Sequence, residues 1–503
     1  MTGDVKHEID LLVIGGGING TGIARDAAGR GLSVVLCEKG DLASATSSAS
    51  TKLIHGGLRY LEHYEFSLVR KALAEREVLL AAAPHIVRPM RFILPHSPDL
   101  RPAWMIRLGL FLYDHLGARK RLPGSGALTL TGTPFGEPLV AGFDGAAHYA
   151  DCRVDDSRLV VLNALDAAER GATVLTRTEC VSACPADDGH GWDVELSGGP
   201  LKSLRAKVIV NAAGPWAEQV LSGVVNGLEP PALRLVRGSH IVVPRLFDHD
   251  NAYIFQNSDQ RIVFAIPYEK DFTLIGTTDA DFTGDLDAVT ASNEEVEYLC
   301  EAVNRFFTRK TSTDDVVWTF AGVRPLLGGG DAAQEVTRDY RLDLQQADNG
   351  AYALSVLGGK ITTYRKLAEQ AMVKLGTVLE LSASPWTENV PLPGGDMANA
   401  DVAAYIDSAR QTYPWLAHDV LDRLVAAYGT RIAVLLDGAT GLDDMGQDFG
   451  AGLYEREVRY VVKHEWAETA EDILWRRSKL GLKIGAEGAA KLQAWLQGNA
   501  KAP

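Results

Sequence analysis

The sequence is short of several features that would assign a function class at once. Its 503 residues include only five cysteines, at positions 37, 152, 180, 184 and 300. The one close pair, Cys180 and Cys184, lacks the CxxC spacing, and no histidine cluster completes a metal set. A disulfide framework and a metal centre are therefore not expected, and the cysteines read as reduced, mostly buried small hydrophobes. Apolar runs long enough to cross a bilayer are missing, and MTGDVKHEIDLLVIGGG enters a strand without the apolar stretch of a signal peptide. These absences point to a reducing, cytoplasmic location. Cationic excess is missing too: the formal net charge is -15. Nucleic acid is not an expected partner, because that affinity rests on Lys and Arg neutralising phosphates. There is no internal repeat and no long block of like charge.

What is present is ordinary globular composition, 46% hydrophobic and 23% charged, with length for about two to four domains. Residues 9–14 (IDLLVI) form a continuous apolar run, as in a strand covered on both faces. GGGING and then TGIARDAAGRG follow, a glycine turn opening an Ala-rich helix, and LSVVLCEK is a second buried strand. This is a β-α-β unit of about 30 residues. Gly15, Gly17 and Gly20 make GxGxxG in the context that gives the motif meaning. The first glycine permits the tight turn, the second admits a pyrophosphate, and the third lets helix and strand pack closely. The helix N-terminus offers N–H donors to phosphate, and Glu38 is placed to accept from the adenosine ribose. Dinucleotide binding is the expectation, against the plainer reading of a glycine turn that serves packing alone.

Farther along, residues 44–57 (SATSSASTKLIHGG) are small and polar, and 66–82 read as an amphipathic helix stopped before Pro84. Strand patterns follow between 173 and 214 and again in SHIVVP, RIVFAIP and FTLIGTTD. GGKITTYRKLAEQA at 358–371 is a glycine turn opening a helix. Pro and Gly at 385–396 mark a linker, beyond which the signals are almost wholly helical. GxGxxG does not separate FAD from NAD. AKVIVNAAGPWA at 206–217, a buried strand ending in small residues, and the helix opening near 358, whose dipole suits a reduced flavin, favour FAD.

The stretch from GGGING to HGGLRYLEHYEF resembles the FAD-dependent glycerol-3-phosphate dehydrogenases of the respiratory branch. RGSHIVVP, IGTTDADF, FAGVRPL, GGKITTYRKLAEQA, LPGGD and LWRRSKLG continue the resemblance in order along essentially the whole chain. It implies an α/β architecture: a Rossmann-like FAD-binding fold of the D-amino-acid-oxidase type, interleaved with a substrate-binding β-sheet domain and followed by a C-terminal all-helical domain. FAD segments are expected at about 1–75, 150–230 and 320–389, substrate segments at about 76–149 and 231–319, and the helical domain at 390–503.

The resemblance also implies the site. Gly15, Gly17, Asn19, Gly20, Glu38 and Lys39 would hold FAD at the first turn. Thr46, Ser47, Ser50, Lys52, Leu53, His55, Gly56 and Gly57 would follow its ribityl chain and ring, and Val181 would lie against adenine. Ala213, Gly214, Trp216, Arg324, Gly359, Lys360, Ile361 and Thr362 would complete the cofactor site, with no metal. The implied reaction oxidises sn-glycerol 3-phosphate at C2 to dihydroxyacetone phosphate, with hydride passing to flavin N5. His55 is the expected base, since neutral imidazole suits proton transfer near pH 7. Arg324 would stabilise the developing alkoxide. Arg59 and Lys360 would bind the phosphate, with Tyr60, Thr362 and His240 as further contacts; His240, on an apolar strand, also reads as a buried structural residue.

The expected electron acceptor is a membrane quinone; an oxidase that uses oxygen is the alternative. Residues 101–121 hold Arg101, Arg107, Arg119, Lys120 and Arg121 against Asp114, a local balance of +4 flanking an aromatic, apolar stretch. Such a helix can lie in the plane of a membrane surface, the inner face of the cell membrane here, or be a core helix with charged ends. A weakly held homodimer is the expected assembly.

Overall fold

A computed structural model describes residues 7–62, 64–96, 102–117, 119–257, 259, 261–328, 339–381 and 384–499. The first apolar run forms the strand His7–Ile14, which has parallel neighbours on both sides, Ser203–Asn211 and Val34–Cys37. Tyr352–Leu357 and Thr173–Leu175 extend the parallel set outward. Leu11 and Val13 enter one core, and Leu12 and Ile14 enter another on the opposite face. Burial on both faces is why the strand reads as a run rather than an alternation. Helix α1 (Ile18–Gly29) packs through Ala24, Ala27 and Ala28, whose small side chains let it press close to the sheet.

Helix α2 (Phe66–Ala82) has the span that its pattern predicts. Helix α3 (Ala103–Leu116) is different from a core helix: only Leu110 and Tyr113 are fully buried. Trp104, Met105, Leu108 and Phe111 are 65%, 43%, 51% and 57% exposed, and 104, 108 and 111 share one stripe of the helix. Helix α4 (Asp156–Glu169) is capped by Asp155, whose side chain accepts the Arg158 N–H at 3.2 Å.

A second, mixed sheet is built around Leu233–Pro244, paired antiparallel with Phe272–Gly276 and Trp318–Leu327. It continues through Ile262–Tyr268, Ala252–Gln256, Val87–Pro95 and Gly145–Val154 to the short strand Leu53–Ile54. The interleaving is finer than the expected segment boundaries. Leu53–Ile54, the second half of Gly145–Val154 and most of Trp318–Leu327 fall inside the expected FAD segments yet belong to the second sheet. Strands of the two sheets carry the same apolar signal, so sequence alone does not say which sheet a strand joins.

After the linker, helices including His418–Tyr428 and Glu455–Glu465 enclose their own core, with Leu421, Leu424, Val458, Val461 and Ile473 fully buried. This part is tied to the FAD-binding part by buried charge. Arg158 of α4 forms a bidentate pair with Glu465, and Arg477 clasps Asp41 through two nitrogens at 2.8 and 2.9 Å. All four side chains are at most 2% exposed. Removing one partner of such a pair strands the other charge in a low dielectric. Glu465→Ala is expected to cost roughly 3–5 kcal/mol. A thermal melt that shows no loss of Tm would contradict this view of the junction.

Candidate active site

A cavity of about 600 Å³ lies between the two sheets, at the C-terminal end of the parallel strands. Its floor is the first turn. Gly15 sits at φ +114, where an added Cβ would be 2.6 Å from Ala212 O, so only glycine makes this turn. Gly17 is the extended residue that opens α1. Glu38 takes the Gly16 and Gly40 N–H groups, one on each carboxylate oxygen, at 2.7 Å. Burial raises its pKa, and those two amides oppose the shift. Asn19 donates to Gly358 O at 3.2 Å, while its buried Oδ1 has no hydrogen-bond partner among the described residues. An orphaned acceptor, a glycine turn and a carboxylate at the second strand end fit a dinucleotide, with the helix N-terminus left for its phosphates. FAD fits this chain's residues.

The next segment forms a wall. Thr46 donates to Val323 O at 2.7 Å, and Ser47 Oγ accepts the Ile18 N–H at 3.0 Å. Ser50 Oγ donates to Asp156 Oδ2 at 2.8 Å, and Leu53 and His55 line the cavity beyond it. On the far side Ala213, Gly214 and Trp216 close the wall, and Lys39 sits 4.4 Å over the Trp216 ring, paired with Asp287.

The other end of the cavity gathers the polar residues expected around a substrate. His55 N–H points to Thr362 Oγ1 at 3.3 Å, and the Lys360 ammonium lies 3.5 Å over the Tyr60 ring. Gly359 and Ile361 line the same turn. Arg324 is anchored by a short ion pair with Asp279 and by Thr277 Oγ1 at 3.3 Å. His240, 2% exposed, bonds Thr51 through Nε2 at 3.0 Å and stacks on Phe320; its Nδ1 has no hydrogen-bond partner among the described residues. Burial, with Lys52 and Arg324 nearby, lowers its pKa to about 3, so it is neutral at physiological pH.

Six expected contacts differ. Lys52 is buried and spends its ammonium on Asp156, at 2.9 and 3.0 Å, and on Ser48 O at 2.8 Å. It anchors the wall from behind instead of lining it. Gly20 and Gly56 are buried packing positions, Gly57 is the φ +77 turn after them, and none of the three lines the cavity. Arg59 occupies the single turn Leu58–Leu61 beside Tyr60, outside the cavity wall. Val181 is a bulge residue: the register slips between Cys180 and Ser182, and its side chain is 43% exposed. Thr178, Glu179 and Cys180 line the cavity in its place. Sequence reasoning missed Asp279, although it lies within IGTTDADF, and missed Asp156, which no local signal links to Ser50 and Lys52.

A family model described as FAD dependent oxidoreductase matches residues 10–365, and one described as the C-terminal domain of alpha-glycerophosphate oxidase matches 385–498. The chain is 54% identical to a glycerol-3-phosphate dehydrogenase of Pseudomonas aeruginosa, over 97% of this chain and 95% of that one. It is 52% identical to a D-erythritol 1-phosphate dehydrogenase of Brucella abortus, over 97% of each. Among solved structures, a glycerol-3-phosphate dehydrogenase of Bacillus halodurans complexed with FAD superposes with a TM-score of 0.73 at 26% identity, covering 98% of this chain and 95% of that chain. With the cradle, the two sheets and the helical tail all accounted for, the chain belongs to the FAD-dependent glycerol-3-phosphate dehydrogenase family of oxidoreductases.

Proposed function

We propose that the protein oxidises sn-glycerol 3-phosphate to dihydroxyacetone phosphate and passes the electrons to a quinone at a membrane surface. The observation that carries this reading is one cavity with a dinucleotide cradle at one end and His55, Tyr60, His240, Arg324 and Lys360 at the other. When bound, FAD supplies the acceptor for the hydrogen and electrons that leave C2. The rest falls to the chain's own side chains. A phosphomonoester carries about −1.5 to −2 charge, and the chain's net charge of -15 opposes it at long range. Lys360, over the Tyr60 ring at the cavity wall, therefore acts as the local point charge for the phosphate.

His55 takes the C2 hydroxyl proton, the role for which imidazole is suited near neutral pH. His240 is too weak a base to hold that proton and contributes a hydrogen bond and shape. Arg324, fixed by Asp279, stabilises charge as it develops on the C2 oxygen. A four-carbon polyol phosphate is a second reading, favoured by the 52% identity to the D-erythritol 1-phosphate dehydrogenase. The test is kcat/KM for both substrates, with a quinone analogue and with oxygen. The first reading expects preference for glycerol 3-phosphate and quinone reduction without peroxide. Preference for the four-carbon substrate supports the second, and peroxide formed at the substrate rate means an oxidase.

Helix α3 supports the membrane surface as the place of transfer. No helix among the described residues is long and apolar enough to cross a membrane. The exposed stripe Trp104, Leu108, Phe111, with exposed Arg107 and Lys120 around it, fits a helix lying at an anionic interface. Each cation near such a surface contributes on the order of 1 kcal/mol. Reversing Arg107 and Lys120 to Glu is expected to weaken co-sedimentation with anionic vesicles about tenfold or more. Undiminished binding would remove α3 from this role.

A further inference from the structure

Tyr113 is a large polar side chain on α3, 2% exposed, on the side of the helix away from the apolar stripe. Its hydroxyl accepts the Gly56 N–H at 2.7 Å and donates to Asp151 Oδ2 at 2.7 Å. Asp151 Oδ1 takes Arg76 Nη1 at 2.5 Å, and the same nitrogen donates to Ala150 O at 3.1 Å. Burial, with Asp151 beside it, pushes the Tyr113 hydroxyl well above the usual phenol range. The hydroxyl therefore keeps its proton and can donate and accept at once.

The contact with Gly56 is close. A Cβ on Gly56 would stand 2.5 Å from Leu73 Cδ2 and 2.6 Å from Tyr113 Oη, so the backbone of the loop rests on this hydroxyl. On one side of Gly56 is His55, whose N–H meets Thr362. On the other side Gly57 turns the chain into the Leu58–Leu61 turn that carries Arg59 and Tyr60. His55 and Tyr60 line the cavity; Gly56, between them, does not. Tyr113 thus grips the segment that presents both side chains at Gly56, next to His55, and is not itself part of the cavity lining.

We propose that Tyr113 is a positioning residue for substrate oxidation, holding the Gly56 amide so that His55 and Tyr60 keep their places in the cavity, with Asp151 and Arg76 orienting its hydroxyl. The role rests on the reading of His55 as the proton acceptor. Proton and hydride transfer are sensitive to displacement: a shift of about 1 Å can cost on the order of a hundredfold in rate.

The test uses Tyr113→Phe holoenzyme, mixed anaerobically with glycerol 3-phosphate, with the rate of flavin bleaching counted per bound flavin. Counting per flavin removes molecules that have unfolded or lost FAD, so lowered stability alone does not imitate the effect. The limiting rate is expected to fall about tenfold to a hundredfold, while the half-saturating substrate concentration changes by less than about threefold. Amide hydrogen exchange of the 53–61 peptide, read in the same protein, is expected to quicken. A wild-type limiting rate, or unchanged exchange in that peptide, overturns the role. Asp151→Asn keeps the tyrosine but weakens its acceptor, and is expected to lower the rate by about threefold to tenfold; an unchanged rate there overturns the role even if Tyr113→Phe does not fold. A wild-type enzyme that glycerol 3-phosphate fails to bleach overturns the function on which the role rests, a result distinct from both.

Discussion

Replacing Gly20 by valine is expected to yield a protein that no longer retains FAD. A Cβ at this position would stand 2.0 Å from Gly15 O and 3.1 Å from Gly15 C, contacts with backbone that no rotamer relieves. Gly15 cannot retreat, because its φ of +114 is required by the turn and its other side already faces Ala212 O. Helix α1 cannot retreat either, being packed into the core shared with α4 and the sheet. Overpacking typically costs about 1–3 kcal/mol, and pressure on a backbone carbonyl belongs at the upper end. About 3 kcal/mol applied to the cradle converts to roughly a hundredfold weaker binding. Flavin absorbance of the purified variant and its titration with FAD measure this. Wild-type flavin content would contradict the close packing of helix on strand.

Arg324→Ala is expected to reduce kcat/KM for glycerol 3-phosphate about a thousandfold while FAD stays bound. Two losses combine. A single preorganised donor to developing negative charge is worth roughly 2.7–4 kcal/mol. Its removal also takes the guanidinium away from Asp279, 15% exposed, and so leaves more negative potential near a dianionic substrate. Asp279→Asn keeps the guanidinium and loses only its anchor, so its effect is expected to be smaller. Steady-state kinetics at matched flavin content measure both. A loss under about tenfold for Arg324→Ala would move the stabilising role to another group.

The parts of the fold that were legible in the sequence are those whose signal is local. The buried run before Gly15, the Ala-rich helix after it and Glu38 at the next strand end all appear where the pattern puts them, because strand, turn and helix there are set within one β-α-β unit. The span of α2 was legible for the same reason. What was hidden depends on residues distant in sequence. Lys52 reads as a polar loop residue near flavin until Asp156, more than a hundred positions on, takes its charge. Val181 reads as the residue against adenine until a bulge at Val181 itself shifts the strand, and Thr178, Glu179 and Cys180 line the cavity instead. Gly56 and Gly57 sit in the right loop, yet they serve its packing and turning, and Tyr113, more than fifty positions on, comes beneath Gly56 only through the fold.

Helix α3 shows the same division. Its basic flanks and apolar stretch are plain in the sequence, and they suit a core helix as well as an interfacial one. Exposure of Trp104, Leu108 and Phe111 speaks against a core helix, which would bury them, and is the ground on which the interfacial role is proposed. The inner side of that helix, through Tyr113, then reaches the loop that carries His55.

The most direct measurement is an anaerobic titration of the purified holoenzyme with sn-glycerol 3-phosphate, following flavin absorbance and product together. If the cradle and the polar end of the cavity work as one site, the oxidised flavin band bleaches without any added nicotinamide, and dihydroxyacetone phosphate appears mole for mole with flavin reduced. An oxidised band that persists under excess substrate, or bleaching that requires NAD, would contradict the account.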